Sequence, residues 1–267
     1  MNIAYYITGH GYGHTVRSIE VIKELHHQAP DVAVHVRTSA PRWLFAELTG
    51  PRFHYHARRL DVGALQSNSF YVDKARTLAA YAELIADKPL LLQEEVEFLH
   101  QQRIDLIVSD ITPLAFEAAA RAGLAGIGEG NFTWDWIYAD WLAEFPDYAH
   151  VIHDIRRSYH LADHLLRIPF YGDMSVFGRI EDIPLISRRS TLSKEQARDV
   201  LSGFVQTDKP LVLLALRRAD LDHIPLAAVG KLTDFEFITT SQELPAANIT
   251  DRKSTRLNSS NRIRTRM

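Results

Sequence analysis

Short runs of β-branched and aromatic residues alternate along most of the chain with longer stretches in which apolar residues recur every three or four positions. Residues 3–8 form the first such run and end in glycines, and residues 16–27 follow with Ile19, Val21, Ile22 and Leu25 at helical spacing. Residues 32–38 predict a second strand with Val32, Val34 and Val36 on one face, and residues 41–48 a helix opened by Ser39 and a proline. A weaker strand is expected at 53–56. A polar segment, 58–71, then leads to a long helix from about residue 73 to 101, bent at Pro89. Residues 104–109 read as a strand, 113–122 as an alanine-rich helix and 123–130 as a return to the sheet.

Strands separated by helices of this length predict a parallel sheet with helices on both faces, so the fold class is α/β. Residues 134–163 read as helical and aromatic, 165–168 as a strand, and 169–190 as a linker with little period. Ser193 and Gln196 form a capping-box pattern before a helix at 195–201; residues 210–216 and 235–239 predict two strands, with a helix at 222–232. The expected organisation is a Rossmann-like domain over 1–168, a linker over 169–190 and an incomplete second α/β domain over 191–250. About 60 residues are too few to close a doubly wound sheet.

Composition narrows the chemistry. The 267 residues include no cysteine, which excludes a disulfide scaffold, a thiol nucleophile and cysteine-ligated metal. The net charge of −3 offers no general attraction to nucleic acid. No apolar stretch approaches the roughly 20 residues of a membrane helix, and the N-terminus lacks a basic leader, so the expected compartment is the cytoplasm. Residues 251–267 carry six bases and one acid, leaving the body with 24 bases, 32 acids and a net charge of −8. That stretch reads as a disordered, non-native tail that resembles translated adapter sequence, and the natural protein is expected to continue beyond it.

The turn Gly9-His10-Gly11-Tyr12-Gly13-His14 falls between the first strand and the first helix, where open α/β sheets bind ligands. A dinucleotide fingerprint requires glycine where His14 stands, and a phosphate loop requires a lysine that is missing before Lys23. A helix N-terminus disfavours a charged imidazole, so His14 could act as a general base. Alternatively His10 and His14 cap the turn, or bind a metal as a pair. The histidines at 26, 27, 54, 56, 150, 153, 160 and 164 lack common spacing and read as surface or partly buried residues.

Asp110 ends the fourth strand on the same sheet edge, where it could orient an imidazole or cap the helix near Thr112. The stretch from Gly128 to Trp136 offers Asn131, Trp134 and Asp135, which suit a sugar, or else form the core of an interface.

Three motifs, Thr8-Gly9-His10-Gly11-Tyr12-Gly13-His14, Val108-Ser109-Asp110-Ile111-Thr112-Pro113 and Asn131-Phe132-Thr133-Trp134-Asp135-Trp136, together resemble the glycosyltransferase-like proteins of the GT-B fold. The particular likeness is to the domain found alone in bacteria and at the N-terminus of plant L-arabinokinases. It covers residues 1–190 well and 208–238 loosely.

The resemblance implies two Rossmann-like domains, an acceptor-side N-terminal one and a donor-side C-terminal one that binds a nucleotide-sugar. It further implies an inverting, metal-independent transfer with no cofactor besides the nucleotide-sugar co-substrate. His14 would deprotonate an acceptor hydroxyl and Asp110 would orient it. Gly9, His10, Gly11, Gly13, Thr112, Asn131, Trp134 and Asp135 would line the substrate. Where the family carries a glycine-rich loop after the strand that opens the second domain, this sequence has Arg217 and Arg218, which could pair with phosphate. The 267-residue chain is therefore expected to bind nucleotide-sugars weakly and not to turn over. A non-catalytic sugar- or nucleotide-binding module and a nucleotide-sugar epimerase are the competing readings.

Overall fold

The computed structural model describes residues 1–188, 190–203, 205, 207–215, 220, 223–239 and 249–251. Two compact units emerge, one from Met1–Leu65 and Asp73–Arg188, the other from Gln66–Val72 and Arg189–Met267.

The first unit is built on seven parallel strands: β1 (Asn2–Ile7), β2 (Ala33–Thr38), β3 (Phe53–Ala57), β4 (Leu106–Asp110), β5 (Ala125–Gly130), β6 (His164–Arg167) and β7 (Ile180–Asp182). Their order is β3-β2-β1-β4-β5-β6-β7. The chain thus winds outward from β1 in one direction, then returns to β4 on its other side. In open α/β sheets such a reversal is where ligands bind, here at the carboxyl ends of β1 and β4.

Alternation along β1 supplies two cores. Ile3, Tyr5 and Ile7 pack with Val34 and Val36 of β2 and with Ile19 and Ile22 of α1 (Gly13–Gln28). Ala4 and Tyr6 face the other way, among Leu92 and Leu99 of α2 (Lys74–Gln101), Ile107, and the small residues Ala115, Ala118 and Ala119 of α3 (Leu114–Ala122). Helices α4 (Trp134–Ala139) and α5 (Ala149–Tyr159) follow β5.

Two local expectations change. Residues 41–48 contain only one 3₁₀ turn, Arg42–Phe45, instead of an α-helix. The segment read as a linker contributes β7, whose Ile180, Glu181 and Asp182 pair with Leu165, Leu166 and Arg167. Three residues with one apolar side chain carry no period from which a strand could be read.

In the second unit, β8 (Leu211–Leu214), β9 (Glu236–Thr239) and β10 (Ile249–Asp251) form a parallel sheet in the order β10-β9-β8. Helix α6 (Lys194–Ser202) opens with the expected capping box between Ser193 and Gln196. A short helix, α7 (Leu226–Val229), stands where a longer one was expected. Arg217, Arg218 and residues 252–267 of the tail lie outside the described residues.

Candidate functional site

The glycine turn is shaped by two different constraints. Gly11 has φ +66°, a left-handed conformation that a side chain would strain. Gly9 leaves room for β2's end, since a Cβ there would lie 1.9 Å from Ser39 Oγ. The turn then delivers His14 on the first turn of α1, buried against the end of β4.

There His14 Nδ1 lies 2.9 Å from Asp110 Oδ1. Arg17, one turn further along α1, donates from Nε to Asp110 Oδ2 at 2.8 Å and from Nη2 to Oδ1 at 2.5 Å. Ser18 Oγ donates to Oδ2 at 3.2 Å. Burial opposes charge on Asp110, but His14 and Arg17 outweigh it and hold the carboxyl at about 2. An ionised carboxylate can only accept, so Nδ1 of His14 carries the proton and Nε2 remains an acceptor when the ring is neutral. The 3.0 Å approach of Arg17 Nη2 to the same Nδ1 is then two donors sharing one carboxylate oxygen.

Asp110 is not a helix cap. The residue before α3 is Pro113, with no side-chain cap bond, and the turn is closed instead by Ser109 and Thr112. Thr112 N–H donates to Ser109 Oγ at 3.0 Å, and Ser109 Oγ donates to Thr112 O at 2.9 Å. Between them Ile111 holds φ +50°, an uncommon conformation for a β-branched residue. Tyr159 pins it by donating to Ile111 O at 2.8 Å.

The two histidines of the turn divide their tasks. His10 takes the backbone role, its Nδ1 accepting from Ala64 N–H at 3.2 Å, and its ring meets the Trp134 ring edge-on at 5.2 Å. His14 takes the carboxylate, with Phe132 edge-on at 5.4 Å.

Asn131 joins the cluster by accepting from Arg17 Nη1 at 3.0 Å. Trp134 is buried at the start of α4 behind Thr133, which accepts from Trp136 N–H as the cap. Asp135 is turned to another partner, Arg156 of α5, whose Nε donates to it at 2.9 Å.

Three residues of the cluster were not anticipated from the sequence. Arg17 links Asp110 to Asn131. Glu129 sits opposite Asp110 in the β4–β5 register and accepts from Tyr5 Oη at 2.5 Å. Burial and the neighbouring Asp110 charge push Glu129 up to about 7, so of two adjacent carboxyls Asp110 keeps the charge more readily. The third is Asp61, buried in the segment after β3. Its carboxyl is raised by burial despite Thr8, His14, the Gly9 amide and Trp134 nearby. Register with Asp110 was the one available signal for Glu129. A pocket of about 300 Å³ opens elsewhere beside α1, lined by Val16, Ile19, Trp43 and Leu44 with Glu47 and Arg188, and contains none of these residues.

The model of glycosyl transferase family 1 matches residues 1–133, a span that holds both His14 and Asp110. These residues belong to that family. The chain is 36% identical over 214 residues to L-arabinokinase of Arabidopsis thaliana, covering 79% of this chain and 20% of the arabinokinase. It therefore spans about a fifth of that relative's length. Among solved structures, Arabidopsis thaliana UGT89C1 superposes with a TM-score of 0.59 at 14% identity, over 94% of this chain and 69% of that one. Phytolacca americana UGT2, complexed with UDP-2fluoro-glucose and pterostilbene, superposes with a TM-score of 0.57 at 12% identity, over 91% and 66%. At such identities the family's GT-B fold is what is shared. Among the described residues no helix is long and apolar enough to cross a membrane.

Proposed function

We propose that this chain supplies the acceptor side of an inverting, nucleotide-sugar-dependent glycosyltransferase, active in the full-length parent protein. The observation that carries the reading is the buried His14–Asp110 pair at the carboxyl end of β1 and β4, within the family span. Structures of the same fold that hold UDP or a UDP-sugar analogue support the donor class.

In this reading Nε2 of His14 takes the proton of an acceptor hydroxyl as its oxygen attacks the anomeric carbon. The bond from that carbon to the diphosphate breaks, and the electron pair leaves with the nucleoside diphosphate. Attack from the face opposite the leaving group inverts the configuration. Asp110 holds the imidazole by Nδ1 and stabilises the imidazolium that forms. Arg17 fixes both carboxylate oxygens, so Asp110 cannot turn away. In the sequence, Arg217 and Arg218 are the candidates for pairing with the diphosphate.

The test is nucleoside diphosphate release from a panel of nucleotide-sugars, with and without hydroxylated acceptors, using the whole protein to which this chain belongs. Acceptor-dependent release that falls at least 10²-fold in His14→Ala supports the proposal. Release that is absent with every donor, or unchanged in that variant, refutes it.

A further inference from the structure

Glu129 and Asp110 are Cα partners in the β4–β5 register, so their side chains stand on the same face of the sheet, the face covered by α1. Both are buried, at 2% and 0% exposure. Their partners are unequal. Asp110 takes His14, Ser18 and two donors of Arg17, whereas Glu129 has the Tyr5 hydroxyl, which reaches across β4 to Oε2 at 2.5 Å. The other oxygen, Oε1, has no hydrogen-bond partner among the described residues. Two neighbouring buried carboxyls ionise together only at high cost, so the one without a cation bound to it holds a proton more readily. That one is Glu129, in line with its value of about 7.

The net charge behind the His14 ring then depends on Glu129. Asp110 faces the ring at 2.9 Å, but the Arg17 guanidinium that grips both its oxygens offsets its negative charge. With Glu129 protonated, the group behind the ring is close to neutral. With Glu129 ionised, it carries one net negative charge, which favours the imidazolium. The ionisable and polar groups around Glu129 are Tyr5 of β1, Asp110 of β4, and His14, Arg17 and Ser18 of α1. On its other side the register neighbour is Leu166 of β6, and the titratable groups on that side of the same face, His164 of β6 and Glu181 of β7, lie 3.3 Å from each other.

We propose that Glu129 is a positioning residue for His14: its carboxyl, held by Tyr5 behind Asp110, sets by its charge how strongly the imidazole takes a proton. It acts by charge alone, through Asp110 and Arg17, and no proton passes from it to His14. The inference rests on the general-base reading of His14 and adds what tunes that base.

The experiment is an NMR titration of the His14 ring in the labelled chain, in the native sequence, Glu129→Gln and Tyr5→Phe. In the native chain the two groups compete for protons, so the ring should titrate over a wider range than a single site does. Glu129→Gln keeps the size of the side chain and removes the charge; the ring is then expected to titrate as a single site, with its midpoint about 0.5 unit or more lower. Tyr5→Phe removes the donor that favours ionised Glu129, so the midpoint should fall in the same direction by less. It carries the test if Glu129→Gln does not fold. In the whole protein the acid limb of kcat/KM should move down with the midpoint, while KM on the plateau is unchanged. A midpoint and width unchanged in the variants that fold, or a midpoint that rises, overturns the proposal. Transfer that needs His14, alongside a ring titration indifferent to Glu129, would overturn it and leave the transferase reading standing. A ring titration that follows Glu129, in a whole protein with no transfer, would support the coupling and count against the transferase.

Discussion

The Nδ1 of His14 and the Oδ1 of Asp110 lie 2.9 Å apart although 96 residues separate them in the chain. The crossover that puts β4 beside β1 makes the contact, with Ile7 directly opposite Asp110 in the register. Replacing Asp110 by Asn keeps the size and removes the charge, so the amide can no longer enforce the Nδ1–H form of the ring. On the proposed function, transfer is expected to fall about 10²-fold or more in kcat with KM little changed, measured by steady-state kinetics.

Asp110 also makes the fold acid-sensitive. Its folded value, about 2, lies below the unfolded carboxylate value near 3.9, so the stability it contributes is present above pH 4 and is lost as pH falls towards 2. Urea midpoints should drop over that window in the native chain and less steeply in Asp110→Asn. An equal slope in both would mean that other groups set the acid limit.

A second acid window comes from three stacked histidines on β2 and β3. His35 is lowered to about 4 by burial and by His54 and His56, with His56 Nε2 3.2 Å from its Nδ1. Arg37 and Phe98 flank the group. A depressed imidazole contributes stability above the unfolded value near 6.5 and loses it as pH falls. The loss is expected to set in as pH falls below about 6.5 and to continue towards 4. His35→Gln should remove most of that difference in chemical denaturation.

Gly130 lets the Asp110–Ile111 turn sit where it does. A Cβ at Gly130 would stand 2.5 Å from Ile111 Cγ2. Gly130→Ala is therefore expected to cost roughly 1–3 kcal/mol and to disturb the neighbouring Asp110. Thermal unfolding and the His14 ring signals would report both effects, and Ile111→Ala in the same chain should relieve them.

Lys88 of α2 is buried between two acids, donating to Glu117 at 2.7 Å and pairing with Asp154. Lys88→Met leaves both carboxylates without their cation, an expected loss of about 3–5 kcal/mol by denaturant unfolding. A loss below about 1 kcal/mol would mean that Ser158 and Arg157 compensate.

The residues easiest to read in the sequence were those whose position is set by local pattern. The apolar run before Gly9 and the run ending at Asp110 announce two strand ends on one edge, so His14 and Asp110 could be named together. Arg17 and Glu129 were harder. A charge one turn beyond His14 on a helix is ordinarily solvated, and Glu129 gains its meaning only from lying across from Asp110 and Tyr5. Asp61 sits in a polar stretch with no period, and only the folded chain brings it to Thr8, Gly9 and Trp134. β7 was hidden for a similar reason, because an edge strand of Ile-Glu-Asp owes its pairing to β6 and not to its own side chains.

The chemistry proposed for the site depends on which nitrogen of His14 holds the proton. Nitrogen-15 NMR of the labelled chain near neutral pH measures this directly. A neutral His14 ring with a protonated Nδ1 and a bare Nε2, converted towards the other tautomer in Asp110→Asn, is the predicted result. A neutral ring protonated at Nε2 in the native chain would contradict it, since the one bare nitrogen would then be Nδ1, which faces Asp110 and Arg17.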